Sequence, residues 1–281
     1  MTHRAHVSVV TDAVSPDFYF PLWHNYYSKF FGSANLHVIC FGDNGVNFSE
    51  WALGSVDQAP AFNNAERARY VSDKVNRLLR VSDIVIRCDV DEFLVPNPKL
   101  YNDLGHYIEE LKTGHVTSFG YDVLQAPDEA GLDLRAPILG AQRHFAYAVD
   151  SLCKTSVVSS PTRWGAGFHA SSNPPLFNEL YMFHLKLADL DLQMQIGTSV
   201  ARRADEERFR EYHSRTKDVF LSQARQYFST PPVVGFDAFT MKPFFEAYLQ
   251  RTKVRNGMYY TEEFKHDRTL LEIPNEFYLK L

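Results

Sequence analysis

Apolar and polar positions change period several times along the 281 residues of the chain. Residues 6–11 read as a first strand, and Ser15-Pro16 then marks a helix start, with Ser as cap and Pro at the first helical position. Phe20, Trp23, Tyr27 and Phe30 recur at spacings of three and four, with Tyr19 and Tyr26 alongside, which predicts a helix whose aromatic stripe faces the core. Residues 36–41 are a short apolar strand closed by the turn signal Gly42-Asp43-Asn44-Gly45. Over residues 66–80 the spacing predicts a helix with Tyr70, Val71, Val75, Leu78 and Leu79 on one face. Residues 82–88 follow as a strand, and the run Ile84-Val85-Ile86 suits burial on both faces. A helix over 101–112, a strand over 116–124 and a Pro/Gly-containing loop over 125–140 come next. Strand character returns over 145–158 and 181–187. Residues 201–228 are helical and charged, Pro231-Pro232 ends them, and a shorter helix spans about 243–251.

Alternating strands and helices predict an α/β protein with a mostly parallel central sheet flanked by helices. The charged C-terminal part reads as a helical extension, giving an α/β unit over 1–200 and an extension over 201–281 packed on it. Composition adds exclusions: 45% hydrophobic and 22% charged residues describe a globular chain, not a disordered acidic one. With 29 basic against 34 acidic side chains and a net charge of −5, nucleic acid is not the expected partner. No apolar run approaches the ~18–20 residues needed to span a bilayer. No secretory leader can be assembled at the N-terminus, and Cys40, Cys88 and Cys153 lie far apart in apolar strands. The expectation is buried thiols in a reducing, cytoplasmic setting. Aromatic residues are abundant at 14%, with 22 Phe, 15 Tyr and 3 Trp.

The segment richest in chemistry is Cys88-Asp-Val-Asp-Glu-Phe-Leu-Val-Pro96. Strand alternation puts Arg87, Asp89 and Asp91 on one side and Ile84, Ile86, Cys88 and Val90 on the other. Two carboxylates would then project together from the carboxyl end of a buried strand, the edge where open α/β sheets bind ligands. Paired oxygen ligands suit Mn²⁺ or Mg²⁺ with positions left for phosphate oxygens. Bare Asp-x-Asp is a weak pattern, and a second copy, Asp189-Leu-Asp191, reads as a helix start. The bland alternative for the first copy is a solvated strand end.

The nine-residue segment resembles the metal-binding motif of family-2-like glycosyltransferases with the glycosyltransferase-A fold, in a branch that carries Asp-x-Asp-Glu-Phe-Leu after a strand. That branch's later Gly-x-His and aromatic-His-Leu-Lys blocks are matched by Gly167-Phe168-His169 and Phe183-His184-Leu185-Lys186, and the likeness spans about residues 6–190. The resemblance implies a nucleoside-diphosphate-sugar donor, often UDP-linked, and a carbohydrate or glycoconjugate acceptor. It implies Asp89 on the ribose or metal, Asp91 on the metal, and Asp12 near the nucleobase, although Val9-Val10-Thr11-Asp12 matches loosely.

Arg67 and Lys74, seven residues apart on one helix, are either diphosphate-binding cations or two surface bases. His169 and His184 are either core histidines or metal ligands, and Lys186 would share a strand face with His184 to complete a metal–diphosphate clamp. Trp164, in a Gly-flexed loop, is a candidate wall for sugar or base. An inverting transfer needs a general base for the acceptor hydroxyl. In the enzymes the chain resembles a carboxylate downstream of the metal motif serves, and Glu179 fits that order best, with Asp150 and Asp189 behind it. Two rivals stay open, a metal-dependent phosphoesterase and a non-catalytic nucleotide-sugar or carbohydrate-binding module. No Gly-x-x-x-x-Gly-Lys-Ser/Thr, Gly-x-Gly-x-x-Gly, His-Glu-x-x-His or Gly-x-Ser-x-Gly motif is present.

Overall fold

The computed structural model describes residues 5–13, 18–42, 47–60, 63–203, 216–262 and 269–281. The expected cap at Ser15-Pro16, the turn after Gly42 and the middle of the charged 201–228 helix lie outside these residues. In chain order the first elements are β1 (Val7–Ala13), α1 (Phe20–Phe31), β2 (Leu36–Phe41), β3 (Ser55–Ala59), α2 (Asn64–Leu78) and β4 (Ile84–Arg87). β2 and β4 flank β1, and β3 lies outside β2, all parallel, so the order is β3-β2-β1-β4. β1, β2 and β4 are buried along their whole length, as their unbroken apolar runs require.

Strand alternation separates two cores. Val9, Val38, Cys40 and Ile86 face α1, whereas Val10, Ile39, Phe41 and Val85 face α2. The Asn63 side chain caps α2 by accepting from the Ala65 and Glu66 amides at 3.0 and 3.2 Å. Ala68, Val71, Val75 and Leu78 form its buried stripe. Because the chain leaves β1 toward β2 and β3 and then returns to β4 on the other side, the carboxyl ends of β1 and β4 form a topological switch point.

Beyond β4 come β5 (Glu92–Pro96), α3 (Leu104–Glu110), β6 (His115–Leu124), β7 (Phe145–Ala148), β8 (Thr155–Val158), β9 (Ala170–Ser171) and β10 (Phe177–His184). β8 is antiparallel to β4 and to the first half of β6, β7 is antiparallel to the second half of β6, and β10 runs parallel to β6 and antiparallel to β5. The C-terminal part holds α4 (Leu190–Arg203), α5 (Lys217–Tyr227), α6 (Phe236–Phe239) and α7 (Lys242–Gln250). It also contributes three strands the periodicity does not announce, β11 (Thr252–Arg255), β12 (Met258–Thr261) and β13 (Leu271–Glu272). β11 and β12 form a hairpin that pairs with β9, and β13 joins β7 in the main sheet. Cys40, Cys88 and Cys153 are buried and stand outside disulfides. No helix among the described residues is long and apolar enough to cross a membrane.

Candidate active site

The aromatic stripe of α1 is core, and its polar tips also hold the motif segment in place. Trp23 Nε1 donates to Cys88 Sγ at 3.3 Å, Tyr27 OH to the Glu92 carbonyl at 3.1 Å and Tyr26 OH to the Leu94 carbonyl at 2.7 Å. Tyr27 OH also accepts from the Leu94 amide at 3.1 Å, and Tyr19 OH donates to the Leu185 carbonyl beside His184 at 2.9 Å. Buried aromatic rings with satisfied tips fix a backbone more firmly than packing alone.

β4 ends at Arg87, and a turn at Val90–Asp91 precedes β5. The paired-carboxylate expectation therefore needs correction: Asp89 and Asp91 do not continue one strand face but diverge. Asp89 turns toward β1 and α2, where Oδ1 accepts from Arg67 Nη2 and Arg87 Nη2 and Oδ2 from Lys154 Nζ at 2.8 Å. Arg67 also forks onto Asp12 at 2.6 and 3.0 Å, and Arg87 reaches Asp12 at 3.4 Å. Lys154 bridges to Glu92 Oε1 at 2.5 Å, and Glu92 Oε2 accepts the Asp89 amide at 2.9 Å. Burial opposes the charge on Asp89, but Arg67, Arg87 and Lys154 outweigh it and hold the carboxyl well below its usual range. At Glu92, burial and the neighbouring Asp89 charge push the carboxyl up. Lys154 is raised, because Asp89 and Glu92 overcome its desolvation. The Phe168 ring covers this cluster, 3.2 Å from the Arg87 guanidinium carbon and 4.7 Å from that of Arg67. With both oxygens held by cations, Asp89 is the hub of an ion network in this structure and not an open metal ligand.

Asp91 turns the other way, to β10. His184 Nε2 lies 3.2 Å from Asp91 Oδ2, and its Nδ1 lies 2.5 Å from Asp122 Oδ1. Desolvation disfavours a charged His184 ring, yet Asp91 and then Asp122 overcome it and raise the ring well above its ordinary value. Asp91 is lowered, since the His184 charge outweighs its burial. Lys186, two residues past the end of β10, also acts on Asp91 through its charge.

His169 follows Phe168 in the tight turn Gly165–His169. Its Nδ1 donates to the Ser151 carbonyl at 2.8 Å, so the neutral ring keeps its lone pair on Nε2. The ring has an exposed edge, but desolvation, with Lys154 nearby, pulls it down to about 4. Gly167, at φ +66°, lets the ring pass: a Cβ there would sit 2.6 Å from His169 Nε2.

Three other expectations are corrected. Lys74 is buried at the far edge of the parallel strands, bound to Ser55 Oγ at 2.6 Å and Asp57 at 2.7 Å on β3, and does not reach the switch point. Trp164 is a core residue, 5% exposed, with Nε1 donating to the Thr155 carbonyl at 3.1 Å, because the space beneath α2 needs a large apolar ring. Glu179 sits at a β10 irregularity with φ +52° and accepts from Asn97 Nδ2 at 2.7 Å, five residues before His184 and so ~16 Å along the strand. Asp150 begins a 3-10 turn that leads into Lys154, and its charge is felt by Cys153 and Tyr248. Asp189 caps α4, accepting from Leu192 at 2.9 Å, and also accepts the Leu132 amide at 2.8 Å. The structure therefore brings together Asp12, Arg67, Asp89, Asp91 and His184, with His169 and Lys186 at the margin.

Sequence reasoning missed Asp122, Lys154, Glu92 and Phe168 as members of the site. One signal existed for Lys154: a lone lysine in the apolar run 152–158 needs a buried counter-charge.

Among the described residues no cluster of three or more His, Cys, Asp or Glu is placed to hold a metal ion. The donor set that is present, Asp91 Oδ2 facing His184 Nε2, suits a cation that completes its shell with water or other oxygen ligands. His184 would have to release its Nε2 proton to bind it.

No family model matches the chain, and no curated protein matches it. Among solved structures the chain is similar to mannose-1-phosphate geranyltransferase from Thermus thermophilus, at 10% identity and a TM-score of 0.30 over 74% of this chain and 67% of that one. It is also similar to the mannosyltransferase PcManGT from Pyrobaculum calidifontis in complex with GDP-Man and Mn2+, at 12% identity and a TM-score of 0.29 over 88% and 81% of the two chains.

Proposed function

We propose that the chain is a metal-dependent glycosyltransferase that takes a sugar from a nucleoside-diphosphate-sugar and gives it to an acceptor hydroxyl. One observation carries this reading: a carboxylate–imidazole pair, Asp91 and His184, stands beside a cluster of three cations, Arg67, Arg87 and Lys154, at the switch point of an α/β sheet. A diphosphate asks for that combination, since its charge must be met by a cation on one side and by fixed donors on the other.

Asp91 and His184 would hold Mn²⁺ or Mg²⁺. Such a cation offsets the negative charge that develops on a departing nucleoside diphosphate. Arg67 and Lys154 already grip carboxylates, and they bind phosphate oxygens by exchanging part of those contacts. Arg87, stacked under Phe168 and 1% exposed, keeps Asp89 in place while they do so. The acceptor oxygen attacks the anomeric carbon as the bond from that carbon to the phosphate oxygen breaks, and inversion follows from a single displacement. Of the three carboxylates considered for the acceptor proton, Glu179, Asp150 and Asp189, Asp150 is the one on the turn leading to Lys154. Asp12, paired with Arg67, lies at the carboxyl end of β1, where the base and ribose would enter.

Titration calorimetry with UDP and GDP, with and without Mn²⁺, tests this. We expect diphosphate binding that strengthens at least tenfold with Mn²⁺ and loses that increment in Asp91→Ala and His184→Ala. Binding of the same strength with and without Mn²⁺ overturns the reading. Inorganic phosphate released from a nucleotide without acceptor would instead favour a phosphoesterase.

A further inference from the structure

His184 is held from behind by a row of side chains that crosses three strands. Parallel pairing of β10 with β6 sets His184 opposite Asp122, and antiparallel pairing of β6 with β7 sets Asp122 opposite Tyr147. Cross-strand partners share a face of the sheet, so the three side chains stand side by side. Asp122 Oδ1 binds His184 Nδ1 at 2.5 Å, and Asp122 Oδ2 accepts from Tyr147 OH at 3.0 Å. Tyr147 in turn stacks on Tyr227 of α5, with ring centroids 4.6 Å apart and planes at 22°. Leu124 and Leu270 close the small apolar cluster around the two rings.

We propose that Asp122 and Tyr147 are positioning residues for His184, and that α5 of the C-terminal segment acts on the site through them. An imidazole on a single strand end can rotate about its side-chain bonds. A carboxylate on Nδ1 fixes the ring plane and keeps the proton on that nitrogen, so Nε2 faces Asp91. The carboxylate needs fixing too. Tyr147 O–H occupies one oxygen of Asp122 and directs the other at His184. Tyr147 keeps its place because its ring is clamped by Tyr227, which comes from the part of the chain that reads in sequence as a charged extension. A row that served packing alone would not need both Asp122 oxygens aligned between one ring nitrogen and one phenol. The metal-affinity arm of the test below rests on the metal reading of Asp91 and His184, whereas the ring-proton arm does not.

The experiment uses the full chain without metal. ¹H–¹⁵N spectra of histidine-labelled protein should show a far-downfield, slowly exchanging ring Nδ1–H resonance, assigned to His184 by its loss in His184→Gln. Its persistence in Asp91→Ala tells it apart from the Nε2–H that faces Asp91. Asp122→Ala should remove that resonance and weaken Mn²⁺ binding, measured by calorimetry, about 10–100-fold. Asp122→Asn keeps an acceptor oxygen and should retain the resonance. Tyr147→Phe keeps the stacked ring but loses the hydroxyl, and should speed exchange of the His184 N–H and weaken Mn²⁺ binding about 3–10-fold. Tyr227→Leu should have the same sign as Tyr147→Phe. If Asp122→Ala does not fold, Tyr147→Phe decides the question. A folded Asp122→Ala, or Tyr147→Phe, with the His184 resonance and Mn²⁺ affinity of the parent overturns the proposal. If the parent binds no Mn²⁺ while the ring resonance responds as described, the metal reading fails and the positioning row stands.

Discussion

Between Arg87 and Glu92 the backbone turns once, so Asp89 leaves toward α2 and Asp91 toward β10. The two carboxylates therefore differ in what their loss exposes. Removing Asp89 takes from Arg67, Arg87 and Lys154 the carboxylate they share, and a broken buried ion pair costs about 3–5 kcal/mol. Asp89→Ala should lower the urea midpoint by that order, whereas Asp91→Asn, which leaves His184 its second carboxylate Asp122, should cost about 1 kcal/mol. Equal losses in the two variants would mean that Asp89 is not the hub. His37 allows a second test at this scale. Burial, and then the Lys74 charge, pull its ring from 6.5 to about 4. Between those values the unfolded chain binds more protons than the folded one, so stability rises with pH there and is lost as pH falls from 6.5 toward 4. The loss from this group is at most about 3 kcal/mol, at about 1.36 kcal/mol per pH unit. His37→Asn should flatten the difference in urea midpoint between pH 7 and pH 4.5 relative to the parent, and an unchanged difference would assign that slope to other groups.

Elements with strong local periodicity were legible in the sequence: α1, α2, β1, β2 and β4 all follow apolar patterns that local physics fixes. β5 was not, because Glu92-Phe-Leu-Val-Pro96 becomes a strand only by pairing with β10, far along the chain. β3 is not legible for a related reason, since Ser55-Val-Asp-Gln-Ala59 is an edge strand with little apolar signal. The Asp-x-Asp segment is legible in the sequence but its divergence is not, because the break at Val90 depends on β5 starting at Glu92. Gly120 shows how elements then carry the site. A Cβ at Gly120 would lie 2.4 Å from the Leu152 backbone carbon, in the 3-10 turn that leads to Lys154. Gly120→Ala should push that turn away, cost about 1–3 kcal/mol in thermal unfolding and weaken the diphosphate binding proposed for Lys154. A variant that melts like the parent would show that the turn can yield without consequence.

At the scale of the molecule, the site lies where chain order reverses, at the ends of β1 and β4, and neither strand's sequence reports which strand is its neighbour. The same holds for the C-terminal segment. Its charged helical stretch hides how much of the core depends on the last residues. Leu271, Ile273 and Phe277 are fully buried. Phe277 lies 5.1 Å from the Tyr181 ring and 5.3 Å from the Phe183 ring on β10, and 5.7 and 5.4 Å from Phe236 and Phe239. β13 pairs with β7, and the Leu281 carbonyl accepts the Ile138 amide at 2.8 Å. Burying three such side chains is worth roughly 5–9 kcal/mol, against a total stability of about 5–15 kcal/mol for a folded chain. Deleting residues 269–281 should therefore remove the cooperative unfolding transition, not merely lower its midpoint. It should also expose the apolar face of β10 to a hydrophobic dye and abolish the His184 ring resonance. The full chain should melt in one calorimetric transition whose measured and van't Hoff enthalpies agree. Two separated transitions would mean that the C-terminal segment folds independently of the sheet. A truncated chain with parent-like melting would show that the Phe277 cluster is dispensable, and with it the coupling between the chain's end and the strand that carries His184.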